Sequence, residues 1–125
     1  MKTIINTDKA PAPVGPYSQA VESGGFLFCS GQIAINPATN QVLTGPVEEQ
    51  TKQVMQNISA VLSKAGLGFQ NVVKTTIYLI NMNDFAAVND VYAGYFKEQP
   101  PARSTVAVSA LPKGVHVEIE VLAKR

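Results

Sequence analysis

Residues Val115–Lys124, VHVEIEVLAK, alternate with a period of two. Val115, Val117, Ile119, Val121 and Ala123 fall on one side, and His116, Glu118, Glu120, Leu122 and Lys124 on the other. That period belongs to a β-strand with one buried face. The chain is therefore committed to a sheet, and something apolar must cover one side of it. Two segments have the periodicity to do so. Within residues 47–65, Thr51, Val54, Met55, Ile58, Val61, Leu62 and Ala65 recur at spacings of three and four, and Gly66 supplies a stop. Within residues 84–97, Asp84 stands in the cap region and Phe85, Val88, Tyr92, Tyr95 and Phe96 line one face. Gln99-Pro100-Pro101 ends that second helix.

The remaining apolar runs read as strands over residues 17–23, 26–35, 72–80 and 102–108. Gly24-Gly25 marks a hairpin turn between the first two. NPATNQ, residues 36–41, is a turn, and NTDKAPAPVGP, residues 6–16, is a loop by its prolines and glycine. The order is strands, helix, strand, helix, two strands. This predicts one α+β domain over residues 1–125, with a mixed sheet and both helices on one face.

Composition narrows the function classes. Charged residues make up 15% of the chain, against about 25% in an average globular domain. A monomer's surface is hard to cover with so few charges, which points to an oligomer. The net charge is +1 with no basic block, which counts against binding a phosphate backbone. Cys29 is the single cysteine and His116 the single histidine, so neither a disulfide nor a cysteine- or histidine-rich metal site can be built. The first residues lack a signal-peptide core, and no run approaches a membrane span. A soluble, cytoplasmic protein is the expectation. Phosphate-loop and dinucleotide glycine motifs are absent.

PPARSTVAV, residues 100–108, holds the most chemically loaded arginine. Ser104, Val106 and Val108 are its more apolar set, which predicts Arg103, Thr105 and Ala107 on the helix-free face, beside Glu118. A planar guanidinium suits bidentate capture of a carboxylate. On pattern alone a solvated arginine competes with that reading, because arginines sit mostly at surfaces. Glu118 and Glu120 offer a general base, or equally a solvated strand face. If the last two strands formed a direct hairpin, Glu118 would lie opposite Ala107, about 13 Å along the strand from Arg103. Either the strands are not neighbours, or the two groups act at separate points around one small ligand. Ser30-Gly31 marks a bulge or a close approach of a ligand to backbone. Gly15–Tyr17 reads as a turn or as an aromatic lid, while Cys29 reads as core and His116 as surface.

VGPYSQAV, FCSGQIAINP, NDFAAVNDVYAGYF and PPARSTVAVSALPKGVHVEIEVLA together resemble the RidA (YjgF) family of reactive intermediate/imine deaminases, over residues 14–123 and in the same order. The resemblance implies a chorismate-mutase-like fold, with a six-stranded mixed sheet and two helices on one face. It implies that the last strand inserts between others, and that three copies form a homotrimer with clefts between subunits. The implied activity is hydrolysis of 2-imino or enamino acids, such as 2-iminopropanoate and 2-iminobutanoate, to 2-oxo acids and ammonia without a cofactor or metal. Carried over by motif, Arg103 holds the substrate carboxylate and Glu118 positions the attacking water. Ser30 and Gly31 line the pocket, Tyr17 closes it and Asn89 shapes it. Thr105 counts with these substrate-binding residues, but it stands where many relatives carry a cysteine, which removes any thiol role there. Two other functions stay open: an endoribonuclease role, attributed to some relatives, and a small-carboxylate-binding role without turnover.

Overall fold

A computed structural model describes residues 1–125. In chain order its elements are β1 (Thr3–Ile5), β2 (Ala20–Ser23), β3 (Phe26–Cys29), β4 (Ile35–Asn36), β5 (Gln41–Val42), α1 (Val47–Lys64), β6 (Val72–Leu79), α2 (Phe85–Ala93), β7 (Ala102–Ala107) and β8 (Val117–Lys124). Six strands form one mixed sheet in the order β1-β2-β3-β8-β6-β7, and β4 and β5 form a small hairpin of their own. Only β6 and β7 are parallel neighbours. The alternation of residues 115–124 is realised on β8, where Val117, Ile119, Val121 and Ala123 are buried under the helices. Helix α1 buries Val54, Met55, Ile58, Val61 and Leu62 against the same side. Each such side chain contributes about 1.5–3 kcal/mol on burial. Helix α2 adds Val88 and Tyr92.

The helix stop at Gly66 is a Schellman turn. Gly66 has φ 76°, its N–H donates to Ser63 O at 2.9 Å, and the Leu67 N–H donates to Leu62 O at 2.9 Å. At the β2–β3 turn, Gly24 and Gly25 both have positive φ (61° and 82°), as a type I′ hairpin requires.

The structure corrects three expectations and answers one question that the sequence left open. First, the strand over 26–35 ends at Cys29. Ser30 and Gly31 leave the ladder, and Gln32 rejoins the sheet through a pair of bonds with Ile119 at 2.9 and 3.1 Å. Second, the second helix stops at Ala93; residues 94–96 continue only as turns bonded to the third residue back. Asp84 makes no side-chain cap there. Third, β7 and β8 are not a hairpin: β8 lies between β3 and β6, as the family resemblance implies. Fourth, the face assignment of β7 is reversed. Arg103 is in register with Thr75, Thr105 with Ile77 and Ala107 with Leu79, and all three β6 partners are buried under the helices. Ser104 and Val106 occupy the helix-free side instead. The alternation failed as a guide because β7 is an edge strand, half-buried at best on either face.

No helix is long and apolar enough to cross a membrane. The helix-free face carries Ile4, Phe28 and Val106 among its exposed large apolar side chains.

Candidate active site

Strand β8 delivers Glu118 to the helix-free face, next to the break in β3. A Cβ placed on Gly31 would sit 3.0 Å from Cδ and 3.2 Å from Cγ of Glu118, and closer still to its Oε2. Only glycine lets the carboxylate lie against the backbone there. The Gly31 N–H donates to no acceptor within the chain. Ser30 is anchored by its N–H to Gln19 O at 2.9 Å and by its hydroxyl to Ser18 O at 2.6 Å. Ser30, Gly31, Glu118 and Tyr17 line a single cavity of about 470 Å³. Burial, and then the negative charge of Glu120, hold the Glu118 carboxyl above the ordinary 4.5. Glu120 accepts a hydrogen bond from Tyr78 Oη at 2.8 Å, which pushes the Tyr78 phenol up.

One structural residue of this site was missed in the sequence. Gln19 is 2% exposed. Its amide nitrogen donates to Thr7 O (3.0 Å), Ala10 O (3.3 Å) and Pro11 O (2.9 Å), while its oxygen accepts from the Thr7 N–H at 2.7 Å. One side chain thus folds the proline-rich loop into the rim of the cavity. The available signal was that loop itself, whose carbonyls need donors that prolines cannot supply. Asn57 does similar work from α1, donating to Ile33 O (3.2 Å) and Ile35 O (2.9 Å).

Arg103 stands elsewhere. Its guanidinium carbon lies 5.0 Å from the Tyr92 ring centroid and 5.5 Å from that of Phe85, both on α2. Its Nη1 donates to Asn89 Oδ1 at 2.7 Å. Tyr92 is in turn fixed by a 2.7 Å hydrogen bond between its hydroxyl and Thr75 Oγ1. The ion pairs of the chain are Lys52–Glu49 and Arg125–Glu22, so Arg103 has no carboxylate partner. This is an oriented, half-buried cation with spare donors, suited to an incoming anion. Two residues along β7, Thr105 Oγ1 is buried without a hydrogen-bond partner.

The seven candidate residues therefore form two groups. Tyr17, Ser30, Gly31 and Glu118 share a cavity, and Arg103 and Asn89 form an aromatic-backed shelf with Thr105 beside it on β7. Arg103 shares a row with Thr75 and Val121, and Glu118 shares one with Tyr78. The rows are three residues apart, about 10 Å along the sheet, and β7 and β8 are two strand spacings apart, about 10 Å across it. The two side chains also lie on opposite faces. Within one chain they cannot grip one small molecule.

The comparisons with known proteins agree with this architecture. The family model described as "Endoribonuclease L-PSP" matches residues 7–125. A RutC family protein from Pyrococcus horikoshii is 53% identical over 123 residues, 98% of either chain. A 2-iminobutanoate/2-iminopropanoate deaminase from Bos taurus is 50% identical over 123 residues, covering 98% of this chain and 90% of that one. A crystal structure of a Rid-family protein of unknown function from Yersinia pestis superposes with a TM-score of 0.97 at 53% identity, with 100% of each chain covered. A sheet of this order with two helices on one side places the chain among the L-PSP/Rid proteins. It belongs to that family, the one that includes RidA (YjgF).

Proposed function

We propose that this protein is a 2-imino acid deaminase acting on small substrates such as 2-iminopropanoate and 2-iminobutanoate, at a site assembled between copies of the chain. The observation that carries this reading is the split between two incomplete and complementary halves. One offers an unpaired guanidinium held by two rings and Asn89; the other offers a half-buried carboxylate facing a cavity. The name of the Bos taurus relative points to the same chemistry.

Arg103 of one subunit binds the substrate carboxylate. Glu118 of the next holds a water against C2 of the protonated imine. The water oxygen bonds to C2, and its proton passes to Glu118 and on to the nitrogen. The hydroxyl of the resulting carbinolamine then gives its proton to Glu118 as the C2–N bond breaks, leaving a 2-oxo acid and ammonia. A protonated imine is already electrophilic, so proximity and modest base catalysis are enough. A carboxylate with a raised pKa is the stronger base for that transfer. The helix-free face, which bears the exposed apolar side chains Ile4, Phe28 and Val106, is the surface that copies of the chain bury in a closed trimer.

The test couples the protein to a threonine dehydratase and follows 2-oxobutanoate. The wild-type protein accelerates its appearance, and Arg103→Ala and Glu118→Gln each abolish the acceleration. Equal rates with and without protein would refute the reading.

A further inference from the structure

The cavity that holds Glu118 has a second charged residue in its wall. Lys113 lines it from the turn Pro112–Gly114. It is the only cation among the lining residues, and it makes no ion pair with Glu118 or any other carboxylate. Its backbone is held at φ 58°, ψ 20°, in the left-handed region. A β-carbon makes that conformation unfavourable. Gly114 beside it has φ 69°, and Pro112 fixes the other side. Strain of this kind persists where the surrounding structure imposes it, and it concentrates at binding sites. Here it sets an exposed, cationic residue in the wall of the Glu118 cavity.

Before a second copy covers it, the space is also larger than the small substrates need. A cavity of about 470 Å³ lies within the range that accommodates drug-sized ligands, and 2-iminobutanoate has seven heavy atoms. With C1 held by Arg103 and C2 facing Glu118, a longer side chain has room to extend along the cavity. Lys113, which has no ion-pair partner, lines that cavity.

We infer that Lys113 is a specificity-determining residue that admits dicarboxylic 2-imino acids by binding their distal carboxylate. This rests on the deaminase reading above. It assigns the 2-imino derivatives of four- and five-carbon dicarboxylic amino acids as additional substrates.

The experiment compares two imines on the assembled protein. One is 2-iminobutanoate from threonine dehydratase; the other is 2-iminosuccinate, generated in situ by an L-aspartate oxidase. Lys113→Met should lower kcat/KM for 2-iminosuccinate about tenfold, as expected for loss of one charge-assisted contact. It should change the 2-iminobutanoate value less than about twofold, and Lys113→Arg should retain both. Calorimetric binding of succinate should weaken in parallel in Lys113→Met, while binding of 2-oxobutanoate holds. Lys113→Gly should raise Tm by relieving the backbone while losing the dicarboxylate preference. An equal loss for both imines, or no loss for either, would overturn the inference while leaving the deaminase reading intact. No acceleration of either imine by the wild-type protein would defeat the deaminase reading itself.

Discussion

The arginine shelf and the glutamate cavity solve opposite problems. Arg103 must stay charged and keep its donors free, so it is oriented by groups that compete weakly for them: two aromatic faces and one amide oxygen. Glu118 must be poorly solvated yet reachable, so it lies against a glycine backbone in a cavity wall, with Glu120 two residues away. The first half is built on an edge strand by a helix. The second is built on the central strand, on the other face of the sheet. On the proposed reading neither half is a site alone, and their separation would make catalysis depend on assembly.

The largest expected effect breaks the comparison in half. Arg103→Ala should lose about 2–5 kcal/mol of substrate binding, seen as a fall in kcat/KM of at least about thirtyfold. Glu118→Gln should match it through kcat. If the halves act from different subunits, as proposed, the two inactive variants should complement each other. Unfolding and refolding them together in equal amounts should restore about a quarter of the wild-type sites in closed rings. A mixture as dead as its parents would show that both groups act within one chain.

Next in size is Gly31→Ala. Its methyl must displace Glu118, so kcat should fall by about ten- to a hundredfold, while circular dichroism stays unchanged. Full activity would mean that the carboxylate works from another position.

A smaller effect separates charge from geometry. The Glu118 carboxyl is raised above 4.5, so its ionised, basic form accumulates only at pH values above that, and the acidic limb of kcat/KM should lie higher than an ordinary glutamate's. Glu120→Gln removes a neighbouring charge and should move that limb to lower pH without abolishing turnover. The same shift has a stability sign. The folded state favours the protonated form, so stability falls as pH rises from 4.5 through the raised value. Glu118→Gln should therefore raise Tm at neutral pH and lose that advantage below 4.5. A Tm difference independent of pH would contradict this.

The smallest change concerns Thr105, whose buried hydroxyl has no partner. Thr105→Val should stabilise the fold by about 1 kcal/mol in denaturant titrations, with kcat/KM unchanged. Destabilisation would mean that the hydroxyl finds a partner across the subunit boundary.

Much of the fold was legible because local period and turn chemistry agree. The alternation of β8, the stripe of α1 and the paired glycines of the first hairpin each carry their own physical signature. What stayed hidden was non-local. No pattern within residues 102–108 says that the aromatic rings of α2 will cover Arg103, and apolar Val106 misled because it lies on the helix-free face. The position of β8 between β3 and β6 came from family resemblance, not from spacing. Of the site, the Ser30–Gly31 pair announced itself through a glycine in an apolar run. The choice between bulge and close approach needed the Glu118 side chain in place. Gln19 gave no period at all, since its work is to satisfy carbonyls of a loop.

The insertion of β8 has a consequence for how the molecule comes into being. Every other strand precedes it in the chain, yet it occupies the middle of the sheet. Until it arrives, β3 and β6 present two unpaired edges toward an empty slot, a kinetic exposure that long-range pairing imposes on slow-folding sheets. The strand that closes the slot also brings Glu118. Folding and gaining the reactive carboxylate are thus one event, and a half-folded chain holds only the arginine's half of the site.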